Sequence, residues 1–232
     1  IYIIDVNAAL CPSNKEIDTV FKYWFENWML KYRVCLTTNN TYENILPRVG
    51  RKIIDQSVAV FTSAGNMVYM SKMNKNVPTS ADLWRPSSDL ITYLETVLKD
   101  SSFKIRSGPN IEYRTGMISF SVVGKAASEE DRVRYKAWDK TNRERKTIVD
   151  TINKTFPNIR ASIGGDTSID ICLRGANNSQ VSQFVCKYQV DTLFFTDRWD
   201  KDRFHIDAPL VTHISPKNLH CIFDGYNQTW EI

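Results

Sequence analysis

A short apolar run that ends in an acidic residue opens the chain and constrains its fold most strongly. Residues 1–6 read IYIIDV, which predicts a strand buried on both faces with Asp5 at its carboxyl end. A loop with Pro12 follows, and apolar residues then recur at helical spacing over 17–28. Because strands that alternate with helices form open parallel sheets, this order predicts a Rossmann-like α/β fold.

The same order recurs along the first third of the chain and near its end. A second strand ends at Thr37, a helix is predicted over 42–49, and a strand, a turn and a further strand are predicted over 58–70. The late apolar run VDTLFFTD ends in Asp197. Ligands of open α/β sheets bind beyond the carboxyl ends of the strands, so Asp5, Thr37 and Asp197 are predicted to lie at one edge.

The middle of the chain has a different character. It predicts a helix near 83–99, paired strands over 103–124, one long charged helix over 128–156 and further strands over 159–173. We therefore expect a Rossmann-like core formed by residues 1–83 and 183–232, and an inserted α+β domain formed by residues 84–182.

Composition excludes several classes of protein. Hydrophobic residues make up 42% of the chain and charged residues 24%, which is typical of a soluble globular protein. The net charge of +4 is spread along the sequence and gives no specific indication of nucleic-acid binding. No apolar run approaches the roughly 20 residues that span a membrane. The five cysteines lack metal-ligand spacing, so we expect a reduced, cytoplasmic setting.

Aspartates at strand ends can carry phosphoryl-transfer chemistry. An aspartate can attack phosphorus and form an aspartyl-phosphate, and Mg²⁺ offsets the negative charge that gathers there. Asp5, Asp197 and Asp202 are the candidate magnesium ligands. Turns also favour aspartate for structural reasons, so these residue types alone leave the question open.

Two segments of the predicted insertion carry a more specific pattern. Residues 112–140 and 159–171 closely resemble the cap of the eukaryotic-type phosphomannomutases, which are members of the haloacid dehalogenase superfamily. The matching family pattern is F-R-N-G-M, then I-G-R, then a helix with E-E-R, then G-G-x-x-S-F-D-V. The resemblance implies a haloacid dehalogenase core with an inserted cap, and an isomerase of mannose metabolism that uses magnesium.

The resemblance also implies which cap residues bind a sugar phosphate. Arg114 matches an arginine that contacts phosphate, Lys125 stands in the position of a second arginine, and Arg132 matches the arginine of the E-E-R helix. Ser168 and Asp170 match the residues that bind the sugar. The chemistry fits, because arginine grips phosphate with two hydrogen bonds and a carboxylate accepts hydrogen bonds from hydroxyl groups.

The core departs from the family pattern at its chemical centre. Where the family has D-V-D-G-T-L, this chain has Asp5-Val6-Asn7-Ala8-Ala9-Leu10. The resemblance makes Asp5 the nucleophile and places Asn7 where the family has the catalytic acid and base. An amide cannot exchange a proton in that role. Asn178 aligns with a lysine that would neutralise the phosphoryl group.

Two functions therefore stay open. The first is a phosphomannomutase-like phosphotransferase that acts on mannose 1-phosphate or mannose 6-phosphate through an aspartyl-phosphate, with Mg²⁺ and a hexose 1,6-bisphosphate activator. The second is a catalytically impaired or inactive homologue that binds a sugar phosphate or a protein partner. For both, the resemblance implies a homodimer through the cap.

Overall fold

The computed structural model of the protein describes residues 1–7, 9–12, 15–73, 75–78, 84–176, 180–181, 184, 191–196 and 219–221. The chain forms two compact units. Unit 1 comprises Ile1–Ala81 and Gly175–Ile232, and unit 2 comprises Asp82–Arg174. Unit 2 is thus inserted in the sequence of unit 1.

The second boundary of the insertion differs from the expected one, which followed residue 182. Residues from Gly175 onward belong to unit 1, and the side chain of Asn66 gives a physical reason. Its Nδ2 donates to the carbonyl oxygen of Ala176 at 3.1 Å, and its Oδ1 accepts a hydrogen bond from Gln180 Nε2 at 3.2 Å. Local sequence patterns do not show these contacts, because the partners lie 110 and 114 residues apart in the chain.

A parallel sheet forms the centre of unit 1. Its described strands are β1 (Tyr2–Asp5), β2 (Val34–Thr37), β3 (Ala59–Thr62), β4 (Met67–Met70), β5 (Lys75–Pro78), β10 (Leu193–Thr196) and β11 (Leu219–Cys221). Their order is β11-β10-β1-β2-β3-β4-β5. The strands from β11 to β3 run parallel, and β4 and β5 extend the sheet by antiparallel pairing. The predicted α/β fold with a parallel sheet is confirmed.

Both faces of this sheet are buried at β1, β2 and β3, which explains the continuous apolar run at the start of the chain. Successive residues of a strand point to opposite faces. Ile4 joins one apolar cluster together with Leu36 and Val60, whereas Ile3 joins another together with Cys35. Asp5 is the first charged side chain along β1, and it comes where the strand ends.

Capped helices connect the first strands of unit 1. They are α1 (Thr19–Trp28), α2 (Tyr42–Val49) and α3 (Arg51–Gln56). Asp18 caps α1 by accepting hydrogen bonds from the backbone N–H groups of Val20 and Phe21. Thr41 caps α2 through the N–H of Asn44. The predicted helices after the first two strands are both present.

Unit 2 has an antiparallel sheet covered by helices on one face. Its described strands are β6 (Ile111–Arg114), β7 (Met117–Phe120), β8 (Ile159–Ile163) and β9 (Ile169–Leu173), in the order β6-β7-β9-β8. Its described helices are α4 (Ser88–Asp100), α5 (Glu129–Asn142) and α6 (Glu144–Thr155). Ile118, Phe120 and Ile171 belong to one buried cluster with Leu94 and Tyr135 from the helices. The opposite face of the sheet carries the alternate, mostly polar side chains.

Two helices occupy the segment for which one long helix was predicted, so that prediction was wrong. Helix α5 ends at Asn142, and Arg143 has left-handed backbone angles of φ 54° and ψ 30° before α6 begins. The buried carboxylate of Asp139 stabilises the break. Its Oδ1 accepts a hydrogen bond from Arg145 N at 2.9 Å and its Oδ2 accepts one from Arg145 Nε at 2.7 Å. The charged pattern continues through the break and therefore does not reveal it.

The described cysteines are buried free thiols, namely Cys11, Cys35 and Cys172. Within the described residues, no helix has both the length and the apolar composition needed to cross a membrane.

Candidate functional site

The carboxyl end of β1 presents Asp5 at the edge of the unit 1 sheet. Asp5 lies in register with Thr37 at the end of β2, as predicted. Its carboxylate is half-buried, and Oδ1 accepts a hydrogen bond from the backbone N–H of Asn7 at 2.9 Å. Asp197 directly follows the last residue of β10, the other neighbour of β1, but Asp197 and Asp202 lie outside the described residues.

The side chain of Asn7 has a fixed orientation. Its Nδ2 donates to Thr38 Oγ1 at 3.1 Å. Its Oδ1 accepts hydrogen bonds from Arg48 Nη1 at 2.9 Å and from Asn40 Nδ2 at 3.4 Å. Because two donors converge on one oxygen, this network assigns the amide. We call Asp5, Asn7, Thr38, Asn40 and Arg48 the strand-end site.

Arg48 ties the loop after β1 to helix α2. Its side chain is buried, with 9% of the residue exposed. Nε donates to the carbonyl oxygen of Lys15 at 3.0 Å, and Nη2 donates to that of Pro12 at 3.1 Å and to Cys11 Sγ at 3.2 Å. Sequence analysis missed this residue. Its burial and its hydrogen bonds distinguish it from a surface arginine, and neither is visible in the sequence.

Cys11 is a structural thiol rather than a nucleophile. Burial raises the pKa of Cys11, against the opposing effect of the positive charge on Arg48. The thiol donates to the carbonyl oxygen of Val6 at 3.4 Å. A nucleophilic cysteine requires a lowered pKa, which is the opposite of this shift.

A chain of charged and polar side chains crosses the face of the unit 2 sheet opposite its helices, and Ser119 and Asp170 in this chain are buried. Arg114 Nη2 lies 2.7 Å from Glu112 Oε2, and Lys125 Nζ lies 3.8 Å from the same oxygen. Lys125 Nζ donates to Ser119 Oγ at 2.6 Å, and Ser119 Oγ donates to Asp170 Oδ1 at 2.9 Å. We call Glu112, Arg114, Ser119, Lys125 and Asp170 the polar face.

Arg132 supports the polar face from α5. Its Nη2 donates to the carbonyl oxygen of Lys125 at 2.8 Å and its Nε donates to that of Ala127 at 3.1 Å. Its Nη1 donates to Thr167 Oγ1 at 3.3 Å. These bonds fix the backbone from which the Lys125 side chain projects.

Gly164 allows Ser168 and Asp170 to approach closely. A Cβ atom at Gly164 would lie 2.5 Å from Ser168 Oγ and 2.8 Å from Asp170 Oδ2. The structure thus gathers all the sequence-predicted residues of the insertion around one face. Sequence analysis did not single out Glu112, Ser119 or Thr167, although each lies next to a residue of the matched pattern.

Burial and charge tune the two ionisable side chains at the centre of the polar face. Burial lowers the pKa of Lys125 to about 8, and the negative charge of Asp170 opposes this shift. Burial would raise the pKa of Glu112, but the hydrogen bond and charge of Arg114, together with the charge of Lys125, leave that pKa lowered. Glu112 is therefore ionised at neutral pH, and Lys125 is close to its titration point.

The described residues give only part of a magnesium site. They contain no group of three or more His, Cys, Asp or Glu side chains that could hold a metal ion. The Asp5 carboxylate supplies oxygen atoms of the kind that Mg²⁺ prefers. It is the one predicted metal ligand that lies within the described part of the chain.

The sequence decides the family. A sequence profile described as eukaryotic phosphomannomutase matches residues 21–203. The chain belongs to the eukaryotic phosphomannomutase family. The match spans parts of both units, so membership rests on more than the polar face.

Curated phosphomannomutases are related to this family member at low identity. The phosphomannomutase of Spinacia oleracea is 23% identical over 202 residues, which covers 85% of this chain and 81% of the relative. That of Saccharomyces cerevisiae is 24% identical and covers 80% of this chain and 74% of the relative. A shorter match, to the phosphomannomutase of Schizosaccharomyces pombe, is 33% identical over 112 residues, or 47% of this chain and 44% of the relative.

Solved structures with a similar fold include haloacid dehalogenase-like proteins. The C-terminal domain of trehalose-6-phosphate phosphatase from C. albicans has a TM-score of 0.59 at 12% identity and covers 84% of this chain and 68% of that chain. A haloacid dehalogenase-like hydrolase from Bacteroides thetaiotaomicron has a TM-score of 0.53 at 9% identity and covers 84% of this chain and 80% of that chain. At these identities the structural similarity establishes only the fold of this family member.

Proposed function

We propose that this phosphomannomutase-family protein binds a hexose phosphate, such as mannose 1-phosphate or mannose 6-phosphate, and accepts its phosphoryl group on Asp5. The observation that carries the proposal is the polar face, where hydrogen bonds and ion pairs connect Arg114, Lys125 and Asp170 through Glu112 and Ser119. The phosphomannomutase relatives that match most of the chain support a sugar-phosphate function.

The polar face has the chemistry to bind both parts of a hexose phosphate. Arg114 offers a planar guanidinium for two phosphate oxygens, and Lys125 adds a point charge. In this row of connected side chains, Asp170 lies at the opposite end from Arg114, and Ser168 lies beside Asp170. Their oxygen atoms suit sugar hydroxyl groups. Unit 2 would then serve as the substrate-binding cap, held in shape by Arg132.

Phosphoryl transfer would begin with attack of an Asp5 carboxylate oxygen on phosphorus. A bond forms between Asp5 and phosphorus, the bond between phosphorus and the sugar oxygen breaks, and the sugar oxygen must gain a proton. Asn7 has no proton to give in this step, so the proton would come from water. Acid and base assistance is typically worth about 10²–10⁴-fold in rate, and we expect a correspondingly slow reaction.

Magnesium would be held by Asp5 together with Asp197 and Asp202, the latter two outside the described residues. When bound, Mg²⁺ offsets the charge that the carboxylate and the phosphate bring together. Asn178, which takes the place of the family's lysine, also lies outside the described residues.

A second candidate function is a catalytically impaired or inactive homologue that binds a sugar phosphate or a protein partner. It is favoured by the hydrogen bond from Arg48 Nη1 to Asn7 Oδ1. This bond engages the side chain at the position where the family has its catalytic acid and base. A site adapted to an amide at this position has no need of proton transfer through it.

Turnover separates the two candidates. The assay supplies mannose 1-phosphate, Mg²⁺ and a hexose 1,6-bisphosphate activator to the whole chain and to Asp5→Asn, which is nearly isosteric. A wild-type rate above that of Asp5→Asn supports phosphotransfer. Equal rates, with hexose phosphate binding retained in calorimetry, support the second candidate.

A homodimer through unit 2 and a cytoplasmic location complete the proposal. A groove of about 710 Å³ at the unit 2 surface is lined in part by Trp84, Ile91, Tyr113 and Met117 and offers apolar area to a second copy. Light scattering at several concentrations measures the molecular mass. A monomer at all concentrations would contradict the dimer.

A further inference from the structure

We propose that the side-chain amine of Lys125 is a modification site, which condenses with the aldehyde group of an open-chain aldose phosphate while Arg114 holds the phosphate. The product is an imine between Lys125 Nζ and the aldehyde carbon. The inference does not require phosphoryl transfer at Asp5. It rests on the proposed function in one respect, namely that the polar face binds a phosphate.

The amine of Lys125 is accessible and only weakly paired with carboxylate. Its side chain is 19% exposed, and its ion pair with Glu112 Oε2 is long, at 3.8 Å. That carboxylate oxygen is engaged more closely by Arg114 Nη2, at 2.7 Å. The hydrogen bond that Lys125 Nζ donates goes to the uncharged hydroxyl of Ser119, at 2.6 Å. The ammonium form is therefore stabilised less than in a lysine that donates directly to a carboxylate.

The surroundings of Lys125 favour the neutral amine. Burial lowers the pKa of Lys125 to about 8, the negative charges of Asp170 and Glu112 oppose this shift, and the positive charges of Arg114 and Arg132 act with it. These groups face the amine from β6, from β9 and from α5. A lysine that is desolvated or that lies beside another cation becomes a nucleophile toward carbonyl groups. Lys125 meets both conditions.

Arg114 gives the site a preference for an aldehyde that carries a phosphate. Arg114 Nη2 and Lys125 Nζ both lie within 4 Å of Glu112 Oε2, so they lie close to each other. A guanidinium binds phosphate through two parallel hydrogen bonds. A ligand with a phosphate at one end and an aldehyde a few carbon atoms away can therefore contact both side chains.

The condensation balances without an oxidant or a reductant. The lone pair of the neutral amine attacks the aldehyde carbon, a C–N bond forms and the π bond of the carbonyl group breaks. The carbonyl oxygen takes up a proton as the nitrogen loses one, which gives a carbinolamine, and loss of water then gives the imine. The hydrogen bond to Ser119 Oγ uses an N–H of the amine and leaves its lone pair available.

The experiment treats the whole chain with glyceraldehyde 3-phosphate and with cyanoborohydride, which reduces the imine to a stable secondary amine. Mass spectrometry of peptides measures the rate at each lysine. Lys136 is the internal control, because it lies in the same unit, is 62% exposed and pairs with Asp166 at 2.7 Å. Near pH 8 we expect Lys125 to be modified about ten-fold or more faster than Lys136, despite its lower exposure. A rate at Lys125 no higher than at Lys136 would overturn the proposal.

Glyceraldehyde, which lacks the phosphate, tests the role of Arg114. The measured quantity is the ratio of the two probes' rates at Lys125, because Arg114 also affects the basicity of the amine. We expect wild type and Arg134→Ala to favour the phosphorylated probe by about ten-fold or more, and Arg114→Ala to lose most of this preference. An unchanged ratio in Arg114→Ala would contradict phosphate binding by Arg114.

A measurement on wild type replaces Arg114→Ala if that variant does not fold. Inorganic phosphate should slow the modification of Lys125 by glyceraldehyde 3-phosphate more than its modification by glyceraldehyde. Equal slowing, or none, would overturn the role of Arg114.

Calorimetry with hexose phosphates separates this inference from the proposed function. If mannose 6-phosphate does not bind while Lys125 is modified selectively, the proposed function fails and the inference stands. If mannose 6-phosphate binds while Lys125 reacts no faster than Lys136, the inference fails and the proposed function stands. Wild type that has been modified at Lys125 should bind mannose 6-phosphate about ten-fold or more weakly, because the adduct occupies the polar face. Unchanged affinity would place the adduct elsewhere and contradict the inference.

Discussion

At the scale of single residues, Glu112 lowers the net positive charge of the polar face, where a phosphate is proposed to bind. Its carboxylate is ionised and lies against Arg114 and Lys125, the two cations proposed to bind phosphate. A phosphate must therefore compete with a carboxylate that is already present. We expect Glu112→Gln to bind mannose 6-phosphate about two- to five-fold more tightly in calorimetry, since partly exposed ion pairs are worth up to about 1 kcal/mol.

The control for this change is Glu130→Gln, which removes the same charge from an exposed position on α5 where Glu130 pairs with Arg134. It should leave the affinity unchanged. Weaker binding by Glu112→Gln alone would show that the carboxylate orients Arg114 instead of competing with the phosphate.

Lys125 makes the affinity depend on pH. It is protonated below its pKa of about 8 and loses its charge above it. A sugar phosphate stays mostly doubly charged between pH 7 and pH 9, because its second pKa is about 6. Affinity should therefore fall by roughly five- to ten-fold between pH 7 and pH 9. Lys125→Arg, which remains protonated, should bind with a flat profile, and an equally steep fall in that variant would exclude Lys125 as the cause.

Residues differ in how far their roles can be predicted from sequence. Asp5 and Asp170 were found because a strand end or a matched family pattern marks them. Arg48 was not, since its contact with Asn7 joins residues 41 positions apart. Such contacts arise only when α2 packs beside β1, and no local pattern records them.

At the scale of elements, the turn between β8 and β9 positions Ser168 and Asp170, the residues proposed to bind the sugar hydroxyl groups. Gly164 is buried and has no room for a Cβ atom beside Ser168 and Asp170. Gly164→Ala should displace both side chains and weaken hexose phosphate binding by about ten-fold or more, in line with the cost of a lost charged hydrogen bond. Gly165→Ala is the matched control, because its nearest atom would be Ser168 Oγ at 3.8 Å. Similar affinities for the two variants would contradict this role of Gly164.

The break between α5 and α6 predicts a stability effect of its own. Arg143 has a left-handed backbone, which glycine adopts without the steric cost of a side chain. Arg143→Gly should raise the free energy of unfolding in urea by roughly 0.5–1 kcal/mol. Lys140→Gly, inside α5, should lower it by about 1 kcal/mol. A loss of stability in both variants would show that the left-handed conformation is not what sets the cost at Arg143.

Element boundaries follow from sequence only where local signals suffice. Helix α2 was predicted with its observed bounds, and the structure shows Thr41 at its N-cap and Gly50 at its C-cap. The break at Arg143 depends on the buried carboxylate of Asp139, which receives two hydrogen bonds from Arg145. In the sequence of a charged helix, a buried aspartate cannot be distinguished from an exposed one.

At the scale of the whole molecule, the parallel sheet of unit 1 was predictable because buried strands alternate with amphipathic helices. The extent of the insertion was not, because Asn66 holds Ala176 through a contact across the chain. The proposed function requires both a phosphate-binding face in unit 2 and a nucleophile in unit 1. We expect the chain to recognise a hexose phosphate through the polar face.

Calorimetric titration of the whole chain with mannose 6-phosphate and with mannose 1-phosphate tests this claim most directly. We expect saturable binding by wild type, a loss of about 10–100-fold in Arg114→Ala, as for a charged hydrogen-bonded contact, and unchanged affinity in Arg134→Ala, which removes an exposed arginine of the same unit. Absence of binding to either hexose phosphate, or equal affinities in the two arginine variants, would contradict it.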